Sequence, residues 1–116
     1  MAVTYEQVKG WVLDLPGGEE VIVAEWGHPT LRVNNKMFAS GSPDSPRCSV
    51  KASKDEQAHL LASQPDVYSF AAYVGRFGWV EVNLAKADPE ELRELVVEAW
   101  RRTAPKKLVK QYDESA

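Results

Sequence analysis

The sequence is poor in cysteine and histidine and has no long apolar run, and each shortage excludes something. A single cysteine, Cys48, cannot form an internal disulfide, so the cytoplasm is the expected compartment. His28 and His59 stand far from each other and from Cys48, without the spacing of a structural metal site, and neither metal nor cofactor is expected. Uncharged apolar stretches such as Val21 to Ala24 are far too short to cross a bilayer. The first residues lack a basic segment followed by an apolar run, so no signal peptide is expected. There is no serine nucleophile elbow, phosphate-binding loop or dinucleotide-binding glycine pattern. Catalytic residues and a small-molecule ligand are therefore not expected, and the chain reads as a non-enzyme. Positive charge is also short: 14 Lys and Arg against 17 Asp and Glu give a formal net charge of −3. That balance opposes loose, sequence-independent attraction to nucleic acid, which depends on summed positive potential.

What is present fits an ordinary globular domain. The 116 residues are 44% hydrophobic and 27% charged, enough for one core and too few for two. Charge is unevenly spread. Glu6, Asp14, Glu19, Glu20 and Glu25 face only Lys9 in the first quarter, whereas Arg101, Arg102, Lys106, Lys107 and Lys110 form a late block without acids. That block reads either as a solvated helix end or as a local positive patch.

The chain is organised around the stretch from Leu31 to Ala39. Two short strand-forming runs flank Asn34-Asn35, and Asn tolerates the positive φ that a two-residue type I′ hairpin needs at both central positions. That register pairs Val33 with Lys36, Arg32 with Met37 and Leu31 with Phe38. Leu31, Val33 and Phe38 then share an apolar face that the remaining chain must cover.

Three helix starts supply the cover. Thr4 with Gln7, Ser53 with Glu56, and Asp88 with Glu91 read as capping boxes, the last with Pro89 at the first helical position. Val8, Trp11, Val12 and Leu15 make one apolar stripe; Ala58, Leu60 and Leu61 a second; Leu92, Leu95, Val96, Ala99 and Trp100 a third. Further strands are read over Glu20 to Trp26, Arg47 to Lys51, from Val67 onward, and Trp79 to Leu84. Ala104-Pro105 breaks the last helical pattern, and the chain is expected to trail into a polar tail from about residue 112. The expected architecture is α+β, a two-layer α/β sandwich in the order α-β(3)-α-β(2)-α, with three helices on one face of an antiparallel sheet. The other face would display Arg32, Met37, Arg47, Ser49, Lys51, Trp79, Glu81 and Asn83.

With these pieces placed, the chain resembles the MmcQ/YjbR family. The resemblance is carried by Leu13-Asp14-Leu15-Pro16-Gly17, Trp26-Gly27-His28-Pro29 and the Leu31 to Ala39 hairpin, followed in order by Gly78 to Leu84 and Ala99 to Lys106. It implies a two-layer α/β sandwich akin to the secretion-chaperone-like and frataxin-like (CyaY-like) folds, over one domain covering residues 1–116. Members commonly carry a DNA-binding label, and the family supplies no established catalytic residues. This chain departs at the hairpin turn, where many members have Gly and it has Asn34-Asn35.

The candidate nucleic-acid-binding residues are Arg32, Lys36, Arg47, Lys51 and Trp79 on and around the open sheet face, with Arg101, Arg102, Lys106, Lys107 and Lys110 from the basic block. A basic face with an aromatic platform binds strands by stacking and phosphate contact. The same face could equally pair with another protein or with itself, since Met37 and Trp79 would be exposed on it. Trp26 and His28 form a further candidate: His28 as a ligand or acid–base group, against the plainer reading that it bonds carbonyls of its own turn. Cys48 alternates inward and is expected to be a buried, unreactive core residue.

Overall fold

In the computed structural model, which describes residues 3–23, 27–72 and 74–115, the elements run in this order. They are α1 (Tyr5–Leu13), β1 (Glu19–Val23), β2 (His28–Val33), β3 (Lys36–Ser40), β4 (Arg47–Val50), α2 (Lys54–Ser63), β5 (Tyr68–Phe70), a 3₁₀ turn (Gly75–Phe77), β6 (Val80–Asn83), α3 (Pro89–Thr103) and α4 (Lys106–Ser115). The six strands form one sheet in the order β1-β2-β3-β4-β6-β5, antiparallel throughout. The α+β class with an antiparallel sheet is as expected. The sheet has one strand more than the expected order α-β(3)-α-β(2)-α, because the stretches read as strand before α2 number four, and α4 is one helix more.

The central hairpin shows why the sheet takes this shape. Asn34 and Asn35 have φ of 51° and 63°, as a type I′ turn requires. Val33 pairs with Lys36 and Arg32 with Met37, but Leu31 then pairs with Ala39, not with Phe38. Phe38 is the extra residue of a β-bulge, and the shift buries it and Ala39 together. A strict two-residue alternation cannot predict two adjacent buried positions.

All of α1, α2 and α3 contribute to one core cluster with the inward sheet residues Leu31, Val33, Phe38, Val50, Val80 and Val82. Thr4 makes the full capping box with Gln7. Ser53 and Asp88 each accept the expected backbone N–H, from Glu56 and Glu91. Neither Glu56 nor Glu91 closes its box. Glu56 pairs with Arg102, and the Glu91 carboxylate accepts hydrogen bonds from the Tyr68 hydroxyl and from Gln64, tying α3 to β5 and to the end of α2. In α2, Leu60 is buried as predicted, Ala58 is exposed, and Gln57 is buried in its place. The Gln57 amide donates to the carbonyls of Gly75 and Trp79, both at 2.7 Å, and so holds the β5–β6 loop closed.

The fourth helix replaces the expected polar tail. Pro105 ends one helix because it lacks an N–H, yet its fixed φ suits the start of another, and its carbonyl accepts from Leu108 and Val109. No residue of α4 is fully buried. Leu108, Val109 and Tyr112 pack onto the core, with the Tyr112 ring edge-on to Trp100 at 5.3 Å. The Trp100 indole N–H donates to Pro16 O at 3.0 Å, linking α3 to the loop after α1.

Candidate functional site: the open face of the sheet

The helices leave one sheet face uncovered, and strand pairing fixes what it shows. A central row runs Val21, Thr30, Ser40, Ser49, Glu81, Ser69, each directly opposite the next. Short hydroxyl side chains therefore dominate the middle. One flanking row holds Glu19, Arg32 and Met37, and the other holds His28 on β2 and the Arg47–Asn83 pair on β4 and β6. Thr30 is fully buried even so: its hydroxyl donates to Val21 O at 2.7 Å and accepts from Arg32 Nε at 3.0 Å.

At one end of this face lies a shallow cavity of about 190 Å³ lined by His28, Ser40, Ser42, Ser45, Arg47, Ser49 and Glu81, together with Gly41 and Cys48. The Arg47 guanidinium is 3.9 Å from a Glu81 carboxylate oxygen, a loose pair. His28 Nδ1 lies 3.2 Å from Pro29 O, within hydrogen-bonding distance. Bonding a nearby carbonyl is the plainer role that the sequence suggests for this residue. Beneath the cavity Cys48 is 3% exposed, and burial, with Glu81 adding, pushes its thiol up to about 12. It is a core residue, as expected.

The structure separates the other candidates. Arg32 and Arg47 lie on the open face, on strands two apart, and Lys51 follows just past β4, half-buried, with its backbone N–H bonded to Phe38 O. Lys36 is exposed at the hairpin end. Trp79 is not a stacking platform: its side chain is 6% exposed. It belongs to the loop that Gln57 closes, and that closure overrides the alternation predicting an outward indole. Trp26 lies outside the described residues.

The late basic block sits in the helical layer, behind the sheet, and is largely neutralised there. Arg101 makes a two-pronged pair with Asp113 at 2.7 and 3.2 Å, approaches Glu98 at 3.6 Å and lies over the Tyr112 ring. Hydrogen bonding to Asp113 pushes the Arg101 pKa up, and the same bond pulls the Asp113 carboxyl down. Arg102 reaches Glu56 at 3.3 Å, and Lys110 reaches Glu114 at 3.9 Å. Among the described residues, Lys36, Lys106 and Lys107 make no ion pair within 4 Å. The serine cluster escapes sequence reasoning, since residues 41–46 read only as a loop and nothing local predicts that β3 and β4 bring Ser40 beside Ser49.

Among the described residues no group of His, Cys, Asp and Glu is arranged to hold a metal ion, and no helix is long and apolar enough to cross a membrane. Comparison with known proteins bears on the family. The chain is 38% identical over 53 residues to uncharacterised proteins of Mycobacterium tuberculosis and Mycobacterium bovis, a match covering 46% of this chain. The matched segment spans only 41% of the length of those relatives. Its fold is similar to the crystal structure of Deinococcus radiodurans protein DR2400, of domain family DUF419, with a TM-score of 0.77 at 19% identity over 85% of this chain and 77% of that one. The YjbR family model matches residues 13–102, from the end of α1 to the last turn of α3, so the chain belongs to the YjbR family.

Proposed function

We propose that this chain is a non-enzymatic binding domain that works through the open face of its sheet, and that its partner is protein, in the first instance a second copy of itself. One observation carries the reading: the uncovered face bears both signs of charge around a smooth hydroxyl-lined centre, with Met37 half-buried beside it. In a two-fold pairing each copy presents the same patch, so Arg32 and Arg47 of one can meet Glu19 and Glu81 of the other. The described part of the face offers no exposed Phe, Tyr or Trp to stack on a base, which favours protein over single-stranded nucleic acid.

The test is sedimentation equilibrium over a range of concentrations, on the wild type and on Met37→Lys. A concentration-dependent dimer that Met37→Lys dissociates supports the reading. A chain that is monomeric throughout, or a dimer indifferent to that substitution, opposes it.

DNA binding is a second reading, favoured by one arrangement. Leu108 of α4 and Val33 of β2 both lie against Gly17, which brings the helix that carries Lys106 and Lys107 to the strand whose Val33 pairs with Lys36. A gel shift on single- and double-stranded DNA at low and high salt tests it. Loss of the shift in Lys106→Gln/Lys107→Gln would support it, and its absence at low salt would remove it.

A further inference from the structure

The cavity at the end of the open face is richer in hydrogen-bond donors than a docking surface needs. Ser42 Oγ accepts the Asp44 N–H at 3.3 Å, and Ser45 Oγ accepts the Arg47 N–H at 3.2 Å. Each hydroxyl has thus used an acceptor site and keeps its proton to donate. The Ser40 and Ser49 hydroxyls, from facing positions on β3 and β4, make no hydrogen bond to another described protein group. Arg47 adds a guanidinium that is not committed to Glu81 at hydrogen-bonding distance.

We propose that this cavity binds a phosphoryl group, held by Arg47 and the hydroxyls of Ser40, Ser42, Ser45 and Ser49. Four hydroxyls and a guanidinium exceed what the two oxygens of a carboxylate can use, and they suit the three terminal oxygens of a phosphate monoester. The volume of about 190 Å³ admits such a group with part of what bears it. Among the described lining residues Glu81 is the one carboxylate opposing the anion, and its loose contact with Arg47 makes it a competitor that the phosphoryl group displaces. The inference rests on the open face as the working surface and adds to it the chemistry of one end.

The experiment is an amide chemical-shift titration of labelled protein with inorganic phosphate, with a phosphoserine peptide, and with acetate as control. Saturable shifts confined to residues 40–49 and 81 are expected with both phosphates and not with acetate. Tighter binding of the peptide assigns the group to a protein partner, and equal binding to a small molecule. Arg47→Gln should weaken phosphate binding about tenfold, the scale of one charge-assisted bond. Glu81→Gln should strengthen it by removing the competing charge. No saturable shift, or weaker binding in Glu81→Gln, overturns the proposal. Phosphate binding without self-association would contradict the dimer reading and leave the pocket assigned. A dimer sensitive to Met37→Lys without phosphate shifts would do the reverse.

Discussion

Cys48 and Trp79 carry the sharpest expectations at the scale of single residues. The folded thiol of Cys48 is pushed up to about 12 from an ordinary value of 9.0, chiefly by burial. A raised acid means that the folded state holds its proton longer than the unfolded chain does. The resulting stability is complete below pH 9 and is lost as pH rises toward 12. The phenols of Tyr5 and Tyr68 are raised as well, by burial first and then by Glu20 and Glu91 respectively, so they act in the same direction. Urea midpoints should therefore fall through this alkaline window, and fall less steeply in Cys48→Ala. In the native protein at neutral pH, Cys48 should react with a thiol reagent far more slowly than in the unfolded chain. Trp79→Ala should cost about 3 kcal/mol in urea unfolding, as emptying a buried aromatic site does. A loss near zero would mean that the indole is exposed after all.

Elements were legible in proportion to how locally they are determined. The Asn34-Asn35 turn, the Thr4 box and the α3 stripe follow from neighbouring residues, and the structure contains all three. The bulge at Phe38 is not local. It depends on how the whole β2–β3 ladder meets the core, which no pair of neighbours encodes. α4 was hidden because Leu108, Val109 and Tyr112 are its only large apolar residues, set among lysines and acids that resemble a solvated tail. Its anchorage is correspondingly light: Leu108 against Gly17, Tyr112 on Trp100, and the Arg101–Asp113 pair. Hydrogen exchange should show α4 amides opening well before those of α3, without global unfolding. Leu108→Ala should speed exchange in α4 while leaving α3 little changed. Equal protection of the two helices would show that α4 is part of the cooperative core.

Across the whole molecule, charge and surface must be reconciled with a binding role. At a net charge of −3, DNA contact has to be local, and binding should fall steeply with salt. Each phosphate contact on duplex DNA contributes about 0.9 to the log–log salt slope, so Lys106→Gln/Lys107→Gln should lower the slope by that amount per contact made. The candidate site itself was only half legible. The outward positions of Arg47, Ser49 and Glu81 follow from strand alternation, but their assembly with Ser40, Ser42 and Ser45 needs the β3–β4 pairing. The burial of Trp79 needs a bracket from a helix 22 residues away in sequence.

Self-association through the open face is tested by sedimentation equilibrium of the wild type beside Met37→Lys. Met37 is on that face but not among the residues lining the serine cavity, and an added lysine does not weaken attraction to DNA. The expected result is a dimer that forms with rising concentration and dissociates when Met37 becomes charged, with the thermal unfolding midpoint little changed. A wild type that stays monomeric, or a dimer that Met37→Lys leaves intact, would contradict it.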